Sequence, residues 1–321
     1  DLPRVDYTDG TSSLLVEPQR TNTYVNSEPT TNEGAAGDVT YESFAWANGF
    51  TDCVKFGDNS VIRYRYGATA LALTEYTISA FVIMDDLSEP VVSNSSTSGD
   101  FSFVIAGSAT GSGTINANVS MGNNIWKVSK TLTSGASNLT NNGIVKYTTQ
   151  SSKGFKVVGW QMEVGSYPTS YIPTSGSTVT RNQEEYKKSG ISDKINSEEG
   201  VLFAEIARSE EENSYRLLGL DNGTSQNYIK IGFGNNNGNF WIRALVNGVT
   251  VINSDNAVSN NANQFYKIAV RYKSGDSVIY IDGVPVLTSS TTFSSGTFTD
   301  LDFTHFTGSS HFFGKVKQLQ V

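Results

Sequence analysis

The sequence has 321 residues, 37% hydrophobic, 11% aromatic and only 17% charged, with a net charge of −8. Fifteen Tyr, 17 Phe and 4 Trp supply enough apolar area to order the chain, which excludes disorder, and the Ser/Thr/Asn/Gly-rich, weakly charged remainder excludes a helix-rich protein. The acidic balance without a basic stripe disfavours nucleic acid; one cysteine (Cys53) and two histidines (His305, His311) exclude disulfides and cysteine-based zinc; and no run of about 18 apolar residues could span a bilayer.

The length predicts about two domains, and hydrophobic periodicity is almost everywhere two, the signature of half-buried strands. In the first half, strands are expected near Ser13–Val16, Ser60–Tyr66, Tyr76–Met84, Phe101–Ala106, Gly113–Val119, Trp126–Leu132, Gly143–Tyr147 and Phe155–Glu163. That number suffices for two packed sheets. Residues 167–177 carry Pro168 and Pro173 among small polar residues, so they should cross the surface extended and unpaired. The charge-rich Gln183–Lys188 then reads as a solvated connector. The second half gives Val201–Ala207, Tyr215–Leu220, Tyr228–Phe233, Phe240–Val246, Val249–Ile252, Tyr266–Tyr272, Val278–Ile281, Val284–Leu287, Leu301–Phe306 and Phe312–Val321. Asn247-Gly248 and Asp282-Gly283 each separate two of these runs and predict two-residue hairpin turns, because both central residues of a type I′ turn need positive φ. The expectation is an all-β chain of two tandem antiparallel β-sandwiches, residues 1–182 and 198–321, joined by a linker at 183–197. With no initial methionine and a strand running off its end, the sequence reads as a fragment of a longer polypeptide.

Leu2-Pro3-Arg4-Val5-Asp6-Tyr7 and Leu14-Leu15-Val16-Glu17-Pro18-Gln19-Arg20-Thr21-Asn22 resemble the start of a module found in bacteriophage tail and structural proteins. Trp126–Ser129, Gly159–Thr174 and Val179–Asn182 continue the resemblance, which covers residues 1 to about 182. It implies a jelly-roll, carbohydrate-binding-like domain. Residues 198–321 resemble laminin G and concanavalin A-like lectin sandwiches, through Glu199–Glu205, Tyr266–Tyr272, Val278–Val284 and Phe313–Val321. Both resemblances imply a glycan partner, other subunits of an appendage, and a virion or extracellular location. They also imply a structural calcium ion, for which Asp52, Asp58, Asp221 and Asn222 stand in plausible turns, although no twelve-residue calcium loop occurs.

Catalytic signatures are missing from the sequence: no Gly-x-Ser-x-Gly elbow, no His-Glu-x-x-His, no Walker lysine. Gly232–Gly238 reads as a hairpin loop and His305 as structural; Asp300 and Asp302 alternate as a glycosidase's carboxylates would, but loop-edge solvation explains them equally well. Sugars stack on exposed aromatic rings and bond to fixed polar neighbours. Trp126 and Trp160 belong to core strands, which leaves Trp46, the alternating Tyr64 and Tyr66, and the Trp241–Arg243 stripe as ligand-binding candidates. The function expected is non-catalytic glycan binding within a phage tail fibre or virion appendage. The rival expectations are a structural module whose aromatics pack subunits, and an ancillary binding region of a secreted polysaccharide-degrading enzyme.

Overall fold

A computed structural model describes residues 3–30, 35–36, 38–58, 61–64, 68–105, 112–136, 141–209, 214–235 and 238–321, and among them every regular element is a strand. Two compact units result: Gln19–Asn182, and a second made of Asp1–Pro18 together with Gln183–Val321.

That partition corrects the expected boundaries at both ends of the first sandwich. The opening strands Arg4–Asp6 and Ser13–Val16 do not belong with the residues that follow them. Ser13–Val16 pairs with the last strand, Gly314–Gln320, setting Leu14 against Val316 and Val16 against Gly314. Val16 is fully buried in the core of the second unit. Arg4 pairs with Glu17 and Glu184, and the Glu17 amide donates to the Glu184 carboxylate at 2.5 Å, so residues 4–17 and 184 are tied together within the second unit. Nor is 183–197 a linker. Lys187–Ser189 is the edge strand of a sheet, paired with Asp300–Asp302, and Ile195 is in the core.

The unit Gln19–Asn182 has a larger sheet built on Trp126–Thr133, Glu75–Met84, Phe155–Val164, Asp52–Phe56 and Val39–Ser43, in that order, with Thr114–Ile115 and Val119–Ser120 at its edge. The smaller sheet runs Ala35–Ala36, Val61–Tyr64, Gly143–Lys146, Ser102–Val104. Phe56, Phe101, Phe103, Phe155 and Trp160 fill the core, Phe56 and Phe155 stacked at 4.7 Å between centroids. Lys130, on the larger sheet and wholly buried, ties it to the smaller one by donating to Ser102 Oγ at 3.1 Å and the Phe103 carbonyl at 3.3 Å.

Residues 167–174 are extended and outside any strand, as the prolines require; Pro173 and Ser175–Ser177 are exposed as expected, but every second residue or so turns inward. Tyr167, Thr169, Ile172 and Thr174 are buried. A polar clamp fastens them. Gln161 accepts from the Ile172 amide at 2.7 Å, and Glu163 accepts from the Thr169 amide at 2.8 Å and its hydroxyl at 2.6 Å. Asn22 donates to the carbonyls of Trp160 (3.0 Å) and Ile172 (2.9 Å) while accepting from the amides of Tyr24 and Met162, each at 3.2 Å. Within the motif Gly159–Thr174, Gln161 and Glu163, with Asn22, thus act as backbone fasteners, accepting from or donating to buried main-chain groups that would otherwise be orphaned.

In the second unit, a seven-stranded sheet (Arg4–Asp6, Ser13–Val16, Gly314–Gln320, Glu199–Arg208, Tyr266–Lys273, Ser277–Ile281, Val284–Ser289) packs against a six-stranded one. The latter is ordered Lys187–Ser189, Asp300–Asp302, Arg216–Asp221, Tyr228–Phe233, Asn239–Val246, Val249–Ser259. Both expected tight turns form, with φ of 49° and 74° at Asn247 and Gly248 and of 51° and 82° at Asp282 and Gly283. Alternation sends Ile229, Ile231, Ile242, Ala244, Ile268 and Val270 into one core between the sheets.

Candidate functional site

The six-stranded sheet has a second face, and it does not simply meet water. Tyr228 and Lys230 alternate with the core residues Ile229 and Ile231; Trp241, Arg243 and Leu245 alternate with Ile242 and Ala244. Leu217, Tyr228, Trp241 and Leu245 form a small satellite core on this face, joined by half-buried Tyr215 and Phe306. The cover is the segment 303–311. Its ends are pinned by the Phe312 amide on the Phe303 carbonyl (2.7 Å), and its tip is closed by the His305 amide on Ser309 (2.8 Å) and the Gly308 amide on His305 (2.8 Å). Phe306 stacks on Tyr228 at 4.9 Å, and the His305 ring lies 3.9 Å from Phe306 and 6.1 Å from Trp241.

Beside this cover is an open cavity of about 320 Å³, lined by Glu185, Tyr186, Lys187, Asp302, Thr304, His305, Phe306, Gly308 and His311. Four partly exposed rings and several side-chain hydrogen-bonding groups therefore share one concavity. His311 Nδ1 has no hydrogen-bond partner among the described residues. Burial, followed by the neighbouring charge of Lys230, holds the His305 imidazole below its ordinary pKa, so the ring is neutral at pH 7.

An ionic network underlies the rim. Lys230 and Asp302 occupy one cross-strand row with Gly219 between them, and Gly219 puts no side chain in the way. Lys230, wholly buried, is paired with Asp221 at 2.6 Å and with Asp302, and it donates to the Gly219 carbonyl at 3.2 Å. Half-exposed Lys187 reaches Asp300 at 3.2 Å and Asp302 at 3.8 Å. Burial pushes the Asp302 carboxyl above the ordinary range, against the pull of Lys230. The expectation of solvated loop-edge acids fails for Asp302, because segment 303–311 and Lys187 close over it.

The expected ligand-binding residues fare unevenly. Trp46 is 4% exposed and lies edge-on to Phe44 and Phe50 in a cluster with Cys53, Phe81 and Val158; it caps the sandwich and offers no free face. Cys53 in that cluster is pushed by burial to a pKa of about 12 and is no nucleophile. Trp241, at 9%, is likewise covered, here by Tyr215 and His305, so the exposed Trp–Arg stripe does not exist. Arg243 is half-buried on that face, its Nε without a hydrogen-bond partner among the described residues. Tyr66 and the Tyr64 side chain lie outside the described residues.

The calcium candidates are divided between the units and do not fit a metal. Asp221 holds an ammonium where a cation would sit, its other oxygen accepting from the Gly223 amide at 2.8 Å. Asn222 caps its own turn through the Thr224 amide and hydroxyl. In the other unit, Asp52 accepts from Tyr41, Ser43 and Thr51, and Asp58 is exposed. Among the described residues, no three His, Cys, Asp or Glu side chains are gathered as metal ligands.

Asp302, His305 and His311 are visible in the sequence, but their convergence with Glu185–Lys187 is not, because the two segments lie roughly 115 positions apart in the chain and meet through the pairing of 187–189 with 300–302. The one signal present was Lys230, a lysine inside the otherwise apolar Tyr228–Phe233 and in register with Arg243.

Residues 204–321 match the family model of laminin G type described as the concanavalin A-like lectin/glucanases superfamily. The chain is also similar to domains LG4-5 of the mouse laminin alpha1 chain, at 9% identity and a TM-score of 0.28, over 99% of this chain and 92% of that one, a score too low to equate the two arrangements. No curated protein matches the chain. The matched segment thus carries a concanavalin A-like, laminin G-type fold, which is compatible with carbohydrate binding.

Proposed function

We propose that the second unit binds a glycan, without acting on it, in the cavity between Glu185–Lys187 and Asp302–His311. The observation that carries this reading is the mixture of half-exposed rings (Tyr186, His305, Phe306, His311) with Thr304, Glu185 and Lys187 around one half-open concavity. A pyranose presents an apolar C–H face to a ring and hydroxyls to fixed donors and acceptors at its edge, and this cavity offers both. Of the two carboxylates that line it, Asp302 is engaged by Lys187 and Lys230 while Glu185 accepts from the Gln183 side chain, an arrangement that supports binding rather than the opposed acid–base pair of glycoside hydrolysis.

The wider setting we propose is a bacteriophage tail fibre or related appendage, in which the Gln19–Asn182 sandwich serves as a jelly-roll module beside other subunits. Its support is the sequence motif Gly159–Thr174 and its partners at Arg20–Asn22. A shallow single site binds weakly, and several copies on one appendage would compensate, since linkage raises avidity by roughly 10²–10⁴.

The test is a glycan array on the whole chain, with and without chelator, followed by titration of the best ligand. Phe306→Ala should weaken binding about tenfold, equivalent to about 1.4 kcal/mol, while Trp46→Ala, if it folds, should leave affinity unchanged. Equal affinity of wild type and Phe306→Ala would reject the site.

A further inference from the structure

We infer that Lys230 and Asp302 are joined by an isopeptide bond, Lys230 Nζ to Asp302 Cγ, formed autocatalytically with Asp221 as the proton relay. Three features of the geometry converge. The amine is wholly buried and its terminal nitrogen touches two buried carboxylates, one of them at 2.6 Å. The two side chains to be joined face each other along a single cross-strand row, meeting over Gly219, where a Cβ would lie 2.1 Å from the Ile229 carbonyl oxygen and no side chain can intervene. The third group, Asp221, is held in place by the Gly223 amide and so is fixed as a base rather than as the acceptor of the new bond.

The chemistry closes without any co-reactant. A proton passes from the Lys230 ammonium to the Asp302 carboxylate, giving a neutral amine and a neutral acid, the state a buried site favours over separated charges. The Nζ lone pair attacks Cγ. Asp221 takes a proton from the attacking nitrogen and delivers it to the departing hydroxyl, so the C–O bond breaks, water leaves and Asp221 ends as it began. In sum, one ammonium and one carboxylate become one amide and one water. Fixing amine and acid in contact supplies the effective concentration that the same reaction lacks between free partners in water, where oriented groups gain on the order of 10⁵–10⁸ M. Burial of a lysine and two acids, costly as an ion pair, is then a means of forming a covalent tie between a central strand and the strand that leads into the cavity cover.

The experiment is the intact mass of the freshly purified full chain under denaturing conditions, with peptide mapping. The expected mass is one water below that of the sequence. Trypsin should fail to cut after Lys230, and the Lys230 peptide should appear joined to the peptide containing Asp302. Lys230→Met should have its full sequence mass. A wild-type chain at full mass overturns the inference, with no need for any variant to fold. So does a missing water that maps elsewhere, to Asp221 or to a succinimide at Asp9-Gly10 or Asp282-Gly283, the Asp-Gly sequences of this unit.

Discussion

Each unit buries a polar network, and the two networks are put to opposite uses. In Gln19–Asn182, Asn22, Gln161 and Glu163 bond mostly to main-chain amides and carbonyls of an extended segment. In the second unit, Asp221, Lys230, Asp302 and Lys187 bond mostly to one another at the edge of a cavity. The first arrangement finishes a fold whose backbone would otherwise go unpaired. The second collects charged side chains, expensive to bury, next to a concavity, and such expense is where function is to be sought.

The comparison breaks most visibly if the chain ends are cut. Removing Asp1–Pro18 should abolish the cooperative unfolding transition of the second unit, because Val16 leaves its core and Gly314–Gln320 becomes an open edge. Amide exchange should show those amides unprotected while the strands Glu75–Met84 and Phe155–Val164 keep their protection. Protection retained at 314–320 would mean that the first eighteen residues are dispensable.

Next in size is the clamp. Asn22→Ala strips four buried backbone groups of their partner, at about 1–3 kcal/mol each, so a loss on the order of 5 kcal/mol is expected in the first unit. Lys230→Ala takes from buried Asp221 its only cationic partner among the described residues and cuts the link from Lys230 to Asp302, and should cost the second unit about 3–5 kcal/mol. Urea midpoints measured on the full chain by probes in each unit would separate the two, and a loss felt equally by both units would contradict the assignment.

The smallest effect is on pH. The His305 pKa is lowered by folding, so the unfolded chain binds the proton more readily; the stability due to this neutral ring is complete above pH 6.5 and is lost as pH falls through the lower folded value. Lys130 in the first unit is pushed by burial to about 8, so stability there should rise as pH climbs from about 8 toward 10.5. Melting temperatures across pH should show both slopes, the first flattened by His305→Gln and the second by Lys130→Met. Slopes that persist unchanged in the variants would assign them to other groups.

How much of this could be read from the sequence follows from distance along the chain. The hairpins at Asn247-Gly248 and Asp282-Gly283, and the strand Tyr228–Phe233, were legible to the residue, because turn chemistry and alternation are local. Val39–Ser43 and Asp52–Phe56 escape the reading: Val39-Thr40-Tyr41-Glu42 alternates for only four residues and buries only Val39 on its edge strand, while Asp52–Phe56 sets Cys53 and Val54 side by side and so breaks alternation. The pairing of Leu14 with Val316 spans the whole chain and leaves no local trace. The candidate site suffered most. Trp46 and Trp241 looked like platforms because a tryptophan beside polar residues reads the same whether or not another segment covers it, and the covers, Phe44 with Phe50 and Tyr215 with His305, are set by tertiary packing.

The most direct test is a crystal structure of the full chain with the best oligosaccharide from the array. A sugar ring should lie against Phe306 or the imidazoles of His305 and His311, with a hydroxyl in hydrogen-bond reach of Thr304 or Lys187. A sugar bound in the Gln19–Asn182 unit, with the 185–187 and 302–311 cavity empty, would contradict the account.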